Sequence, residues 1–226
     1  MLTSVKDSFQ AYLVEGANFT SGEEYPIIPN DSISDEIPKK IMPFAKAINY
    51  QGDLSNTFIC FYEPDGDFER VRRAPKRYVK FFQRTAGIIG FDFSVHSDMP
   101  IIKQKSQMND NLSLTYYYAK QGIRVIPNIR YGIDELAEDY LEAIPNGALL
   151  AVGCHGFIKE KYKQYEWYCF LDKIISEKKP EALIVYGSLS RQIFDSLKTR
   201  TKIIEYEPWI IADQKRRAGN GVKRSC

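Results

Sequence analysis

Histidine and cysteine are scarce in this chain. It has two histidines, His96 and His155, and four widely spaced cysteines, Cys60, Cys154, Cys169 and Cys226, with no CxxC pair. Thiolate and imidazole ligands of zinc cluster at short spacings, so a conventional zinc site is not expected and no metal ligands are assigned. The same spacing argues against a disulfide framework and for reduced thiols in a cytosol. No apolar run approaches the ~18 residues that cross a bilayer, so no membrane partner is expected. Met1 to Tyr12 carries Lys6 and Asp7 and lacks an apolar core, unlike a secretory signal. GxGxxG, GxxxxGK[ST] and HExxH are all missing, which removes support for the common dinucleotide, P-loop and zinc-protease chemistries. No cofactor is indicated, and the oligomeric state is open.

What is present suits a globular protein. The 226 residues are 44% hydrophobic and 27% charged, enough to build one sizeable core. Residues 1–40 are polar, rich in Ser, Glu, Asp and Pro, and read as an irregular lead-in; residues 41–211 read as one α/β domain. Residues 212–226 hold five basic residues against Asp213, a net +4 that leaves −2 on the rest of a +2 chain. This stretch reads as a flexible basic tail.

Within 41–211, short apolar runs recur at Thr57–Tyr62, Ile88–Val95, Arg124–Asn128, Ala148–Gly153, Ala182–Tyr186 and Lys202–Tyr206. Helix-length segments separate most of them: Pro75 to Thr85, Asp110 to Lys120, Asp134 to Ala143, Lys161 to Glu177 and Ser190 to Lys198. Six such runs imply repeated strand–helix units and a largely parallel sheet. A partial or TIM-like barrel is favoured over a doubly wound open sheet, because polar residues follow nearly every strand. In both folds sites lie at the carboxyl ends of the strands.

Those ends carry the candidate chemistry. Asp92 interrupts the apolar run Ile88–Phe93, where burying a carboxylate costs several kcal/mol unless it is paired. Period-2 alternation places it with Gly90 and Ser94, opposite Phe91 and Phe93. It is a candidate catalytic acid or, equally, a turn-capping aspartate. Arg130 has a fork that suits a phosphate or the Asp92 carboxylate. His155 and Glu207 are candidate assisting acid–base groups, with Ser94, Asn128, Gly153 and Gly187 as candidate ligand-binding positions. A different surface is offered by Arg70 to Arg84, seven positive charges without an intervening acid. Arg73, Lys76, Arg77, Lys80 and Arg84 are its candidate nucleic-acid contacts, although a solvated helix face is the default for such a run.

Several short pieces together resemble a known family. They are Gly90-Phe91-Asp92-Phe93-Ser94 with Met99-Pro100, Gly122 through Ile126-Pro127-Asn128, Ile144-Pro145-Asn146-Gly147, Leu150-Ala151-Val152-Gly153-Cys154-His155-Gly156, and Ile184-Val185-Tyr186-Gly187. In order and spacing, from about Ile41 to Pro208, the chain resembles the domain of unknown function 4417, a family of phages and mobile elements. It departs from that pattern at Gly153-Cys154, where the family has a small hydroxylic pair, and near Arg130-Tyr131, where it has tryptophan. The resemblance implies a phage or mobile-element setting, hence a host-cell cytoplasm, and supplies no activity. Two functions stay open. One is an enzyme acting on a nucleotide, nucleic acid or other phosphate-bearing substrate; the other is a non-enzymatic module that binds nucleic acid or a host or phage protein.

Overall fold

Seven parallel strands run in strictly sequential order. The computed structural model describes residues 10–154, 161–189 and 192–222. Strands β1 (Lys40–Pro43), β2 (Thr57–Cys60), β3 (Gly87–Ile89) and β4 (Val125–Ile126) form one sheet; β5 (Leu150–Gly153), β6 (Ala182–Tyr186) and β7 (Lys202–Tyr206) form a second. A single parallel bridge, Asn128↔Ala151, joins them, through Ile129 N–H to the Ala151 carbonyl and Ala151 N–H to the Pro127 carbonyl, both at 2.9 Å. The lead-in pairs Ile33 with Val125 at the start of β4.

Strand order decides between the two expected architectures. A doubly wound sheet reverses its order at a switch point; here the order never reverses. Alternate residues of the strands (Ile41, Phe58, Cys60, Ile89, Ile126, Ala151, Ala182, Ile184 and Tyr186) form one buried cluster. Their neighbours, including Met42, Ile59, Ile88, Val125, Leu150, Val152, Leu183 and Val185, join the larger core beneath the helices. Period-2 side-chain direction thus gives the curved sheet an inside and an outside. The architecture is a partial barrel; among the described residues no ladder closes β7 onto β1.

The helices are α1 (Phe44–Ala47), α2 (Asp65–Arg73), α3 (Val79–Phe82), α4 (Ile101–Lys120), α5 (Ala137–Glu142), α6 (Lys161–Lys178), α7 (Asp195–Lys198) and α8 (Trp209–Val222). Helix α2 begins with Asp65 and Asp67 and ends with Arg70, Arg72 and Arg73, matching the helix dipole at both ends. Sequence periodicity misses it because its acids read as a strand-end loop. Strand β1 also goes beyond the six expected runs, and α4 starts at Ile101 rather than Asp110. Its first turns carry exposed Ile101 and Ile102, whereas Asn111 to Ala119 are all buried, so no amphipathic stripe marks its start. The helix expected over Pro75 to Thr85 is instead a 3₁₀ turn, Pro75–Tyr78, followed by α3. Lys76, Lys80 and Arg84 therefore form no continuous helical stripe, because the chain changes helix type after Tyr78 and α3 ends before Arg84. Helix α8 extends into the segment read from composition as a tail. No described helix is long and apolar enough to cross a membrane.

Candidate functional site

Asp92 lies just beyond β3 and is nearly buried. Its flanking residues Phe91 and Phe93 pack into the outer core with Phe61, Phe68 and Tyr118, which fixes the backbone so that the carboxylate points the other way. Asn128, two residues past β4, donates Nδ2–H to Asp92 Oδ1 at 2.8 Å and to the Phe91 carbonyl at 3.1 Å. Arg130 donates to Asp92 Oδ2 at 3.0 Å, forming an ion pair.

A second layer holds this pair. The Tyr62 hydroxyl donates to Asn128 Oδ1 at 2.8 Å, which fixes the orientation of the Asn128 amide and aims its N–H groups at Asp92. The Tyr140 hydroxyl of α5 donates to the Asn128 carbonyl at 3.0 Å. The Tyr62 ring stacks on Tyr186 from β6, with centroids 5.0 Å apart, and Trp209 N–H donates to the Tyr186 hydroxyl at 2.7 Å. A Cβ on Gly153 would lie 2.6 Å from the Tyr62 ring, so only glycine lets β5 end against that stack.

Electrostatics follow from burial. Desolvation pushes the Asp92 carboxyl up to about 6, opposed by the Arg130 charge and the Asn128 hydrogen bond. Desolvation also holds the Tyr62 phenol well above its ordinary value, with the Asp92 charge adding to it. Glu63, three residues past β2, is pushed up to about 7 by burial although it accepts Ala45 N–H at 2.9 Å. Asp92 therefore exchanges its proton within reach of neutral pH while held by two donors. Arg130 Nε is buried and has no hydrogen-bond partner among the described residues.

Of the residues singled out in the sequence, Asp92, Asn128 and Arg130 meet directly, and Gly153 borders them through Tyr62. Ser94 turns aside: its N–H and hydroxyl both donate to Asp65, at 3.1 and 2.9 Å for Oδ1. Gly187 lies at the end of β6 with φ +133°, where a Cβ would sit 2.0 Å from Cys154 Sγ. Glu207 pairs instead with Lys215 of α8. His155 lies outside the described residues. Sequence reasoning missed Tyr62, Tyr140 and Tyr186. Tyr62 and Tyr186 each close an apolar run at an inward-facing position, a signal in retrospect; Tyr140 reaches Asn128 only through the fold. Among the described residues no group of three or more His, Cys, Asp or Glu is arranged to hold a metal ion.

The basic stretch lies at the other end of the barrel. Pro75 and Gln83 pack against the carboxyl end of α4, the Tyr118 hydroxyl donating to the Pro75 carbonyl and the Gln83 amide to the Gln121 carbonyl. Lys76, Arg77, Lys80 and Arg84 are exposed and make no ion pair among the described residues; Lys76 Nζ sits 4.0 Å from the Tyr12 ring centroid. Arg73 is tied to Glu69. Tyr78 and Phe82 face the core. The acidic run of α5 holds the lead-in: Asp139 accepts from Gly22 N–H, Glu23 N–H and the Thr20 hydroxyl.

Comparison with known proteins adds a setting. The profile of the domain of unknown function DUF4417 matches residues 21–207. Among curated proteins, the chain is 27% identical to the Gene 1 protein of Mycobacterium phage D29 over 136 residues, 60% of this chain and 50% of that protein. It is 25% identical to the Gene 1 protein of Mycobacterium phage L5 over 129 residues, 57% of this chain and 56% of that one. The chain thus spans about half the length of the curated relatives it matches. No solved structure matches.

Proposed function

The chain belongs to the DUF4417 family, whose function is unknown and which has relatives in phages; on that premise we propose that it is an enzyme acting on a nucleotide, nucleic acid or other phosphate-bearing substrate at the carboxyl ends of its strands. The observation that carries this reading is the buried Asp92–Arg130 pair, with a carboxyl near 6 and a guanidinium Nε that no described residue engages. An acid whose proton affinity is shifted by burial beside a specific charge partner is a functional-site candidate on physical grounds. Asp92 serves as the acid–base group, Arg130 holds the phosphate, and Asn128, oriented by Tyr62, keeps the carboxylate aimed. Gly153 and Gly187 let Tyr62 and Cys154 pack close at the strand ends, and His155 and Glu207 are the assisting groups of the proposal.

Nucleotides and a short single-stranded oligonucleotide, titrated against the full chain and followed for turnover, provide the test. Saturable binding weakened at least tenfold by Arg130→Lys, with turnover that loses its limb near pH 6 in Asp92→Asn, supports the reading. Absence of binding, or affinity unchanged in Arg130→Lys, sinks it.

A second reading rests on Lys76, Arg77, Lys80 and Arg84, four exposed cations without acidic partners among the described residues. In this reading the protein is a non-enzymatic module of a phage or mobile element that binds nucleic acid through phosphate contacts. Four such contacts predict a log–log salt slope of about −3 to −4. Salt-insensitive binding removes it and leaves a protein partner.

A further inference from the structure

At the end of the barrel where the strands begin, a cleft of about 710 Å³ opens between the lead-in and the carboxyl ends of α4, α5 and α6. Its size is that of a small-molecule site. Lys178, the last residue of α6, lines it and is only 7% exposed. Its ammonium donates to the Leu141 carbonyl at 3.0 Å and makes no ion pair among the described residues. Glu142 and Glu177 lie close enough to favour its charge without pairing with it, and burial still holds its pKa down. The Glu142 carboxylate is turned toward Ser21, accepting the hydroxyl at 2.9 Å and the N–H at 3.2 Å.

A buried ammonium has three donors and needs a counter-charge. Capping the last turn of α5 uses one donor and supplies no charge. The rim adds Lys120, which no acid pairs among the described residues, and the amides of Asn18, Asn30 and Asn146, which no described protein group engages. We propose that this cleft binds a small phosphorylated, hydroxyl-rich ligand, with Lys178 and Lys120 taking the phosphate and the three asparagines taking hydroxyls. The site is separate from the Asp92–Arg130 pair and does not depend on its function.

Inorganic phosphate, ribose and ribose 5-phosphate, each titrated against the full chain by calorimetry and by amide chemical shifts, test the proposal. Ribose 5-phosphate is expected to bind saturably and at least tenfold more tightly than phosphate, with ribose alone not binding. The shifts should concentrate at Gly147 and Lys179, which flank the cleft, and Lys178→Met should weaken binding at least tenfold. No binding by any probe, shifts confined to Asp92 and Arg130, or unchanged affinity in Lys178→Met overturns it. Phosphate binding as tightly as ribose 5-phosphate overturns the hydroxyl contacts. Should Lys178→Met fail to fold by circular dichroism, the pair K120A/N146A decides: a loss of at least tenfold supports the site, and unchanged affinity overturns it.

Discussion

The two ends of the barrel treat buried charge in opposite ways. Where the strands finish, Asp92 is met by Arg130 on one oxygen and Asn128 on the other, and Tyr62 and Tyr140 hold Asn128 in turn. Where they begin, Lys178 meets one backbone carbonyl and an open cleft. At the first end the charges compensate each other within the protein. At the second, Glu142 and Glu177 favour the charge only from a distance, and the remaining donors are left to solvent or a ligand. Internal pairing ties a charge to stability, whereas an unpaired buried charge is free to respond to what binds.

The sharpest way to break this contrast is to remove one partner at the closed end. Arg130→Met leaves the Asp92 carboxylate buried beside Asn128 alone and should cost about 3–5 kcal/mol. Urea unfolding at pH 8 measures it, and the loss should shrink at pH 5, where Asp92 takes up a proton. A loss under 1 kcal/mol at pH 8 would mean that water reaches Asp92.

Next in size is the pH dependence of the unaltered chain. The folded carboxyl of Asp92 stands near 6, above the unfolded value near 4. Its stabilising contribution is therefore complete below about pH 4 and is lost as pH rises through 6. The difference between the folded and unfolded carboxyl corresponds to roughly 3 kcal/mol at most. Glu63, raised to about 7, extends the fall toward neutral pH. Stability from chemical unfolding should decline from pH 4 to 7, and Asp92→Asn should flatten the lower part of the decline. An unchanged slope in that variant would assign the pH dependence to other groups.

Two glycines sharpen the contrast in packing. Gly187→Ala, at φ +133°, drives a methyl to within 2.0 Å of Cys154 Sγ, whereas Gly147→Ala, at φ +71°, meets nothing within 4 Å. The first should cost about 1–3 kcal/mol in crowding beyond its backbone strain, and the second about 1 kcal/mol from the backbone alone. Equal losses in thermal unfolding would contradict the packing difference. The smallest expected effect is Lys178→Met. It exchanges one hydrogen bond for relief from desolvation, so stability should stay within about 1 kcal/mol of the parent, on the stabilising side. A loss comparable to that of Arg130→Met would erase the distinction between the ends.

Much of the closed end was legible in the sequence. Asp92 stood out because a carboxylate inside Ile88–Phe93 conflicts with the apolar run around it. Asn128 and Arg130 follow the next apolar run, and repeated strand–helix units imply that such ends converge. Alternation along the strands also separated Asp92 from Phe91 and Phe93, as the aromatic packing bears out. What stayed hidden depends on distant residues. Tyr140 reaches Asn128 from a helix, and Lys178 is conspicuous only once its surroundings are known to lack an acidic partner. Strand β1 is four residues long and ends in Pro43, too little for a periodic signal. The single helix expected over Pro75 to Thr85 failed because Pro75 begins a 3₁₀ turn, which a 3.6-residue period does not describe.

The single bridge between the two sheets makes Asn128 a rivet as well as a ligand of Asp92. Its neighbours Pro127 and Ile129 make the hydrogen bonds that stitch β4 to β5, while its side chain grips the carboxylate. Any loosening of that seam pulls the amide away from Asp92 and alters its proton affinity. The barrel wall and the acid are thus mechanically geared, and amide exchange at Ile129 and Ala151 should track the protonation of Asp92.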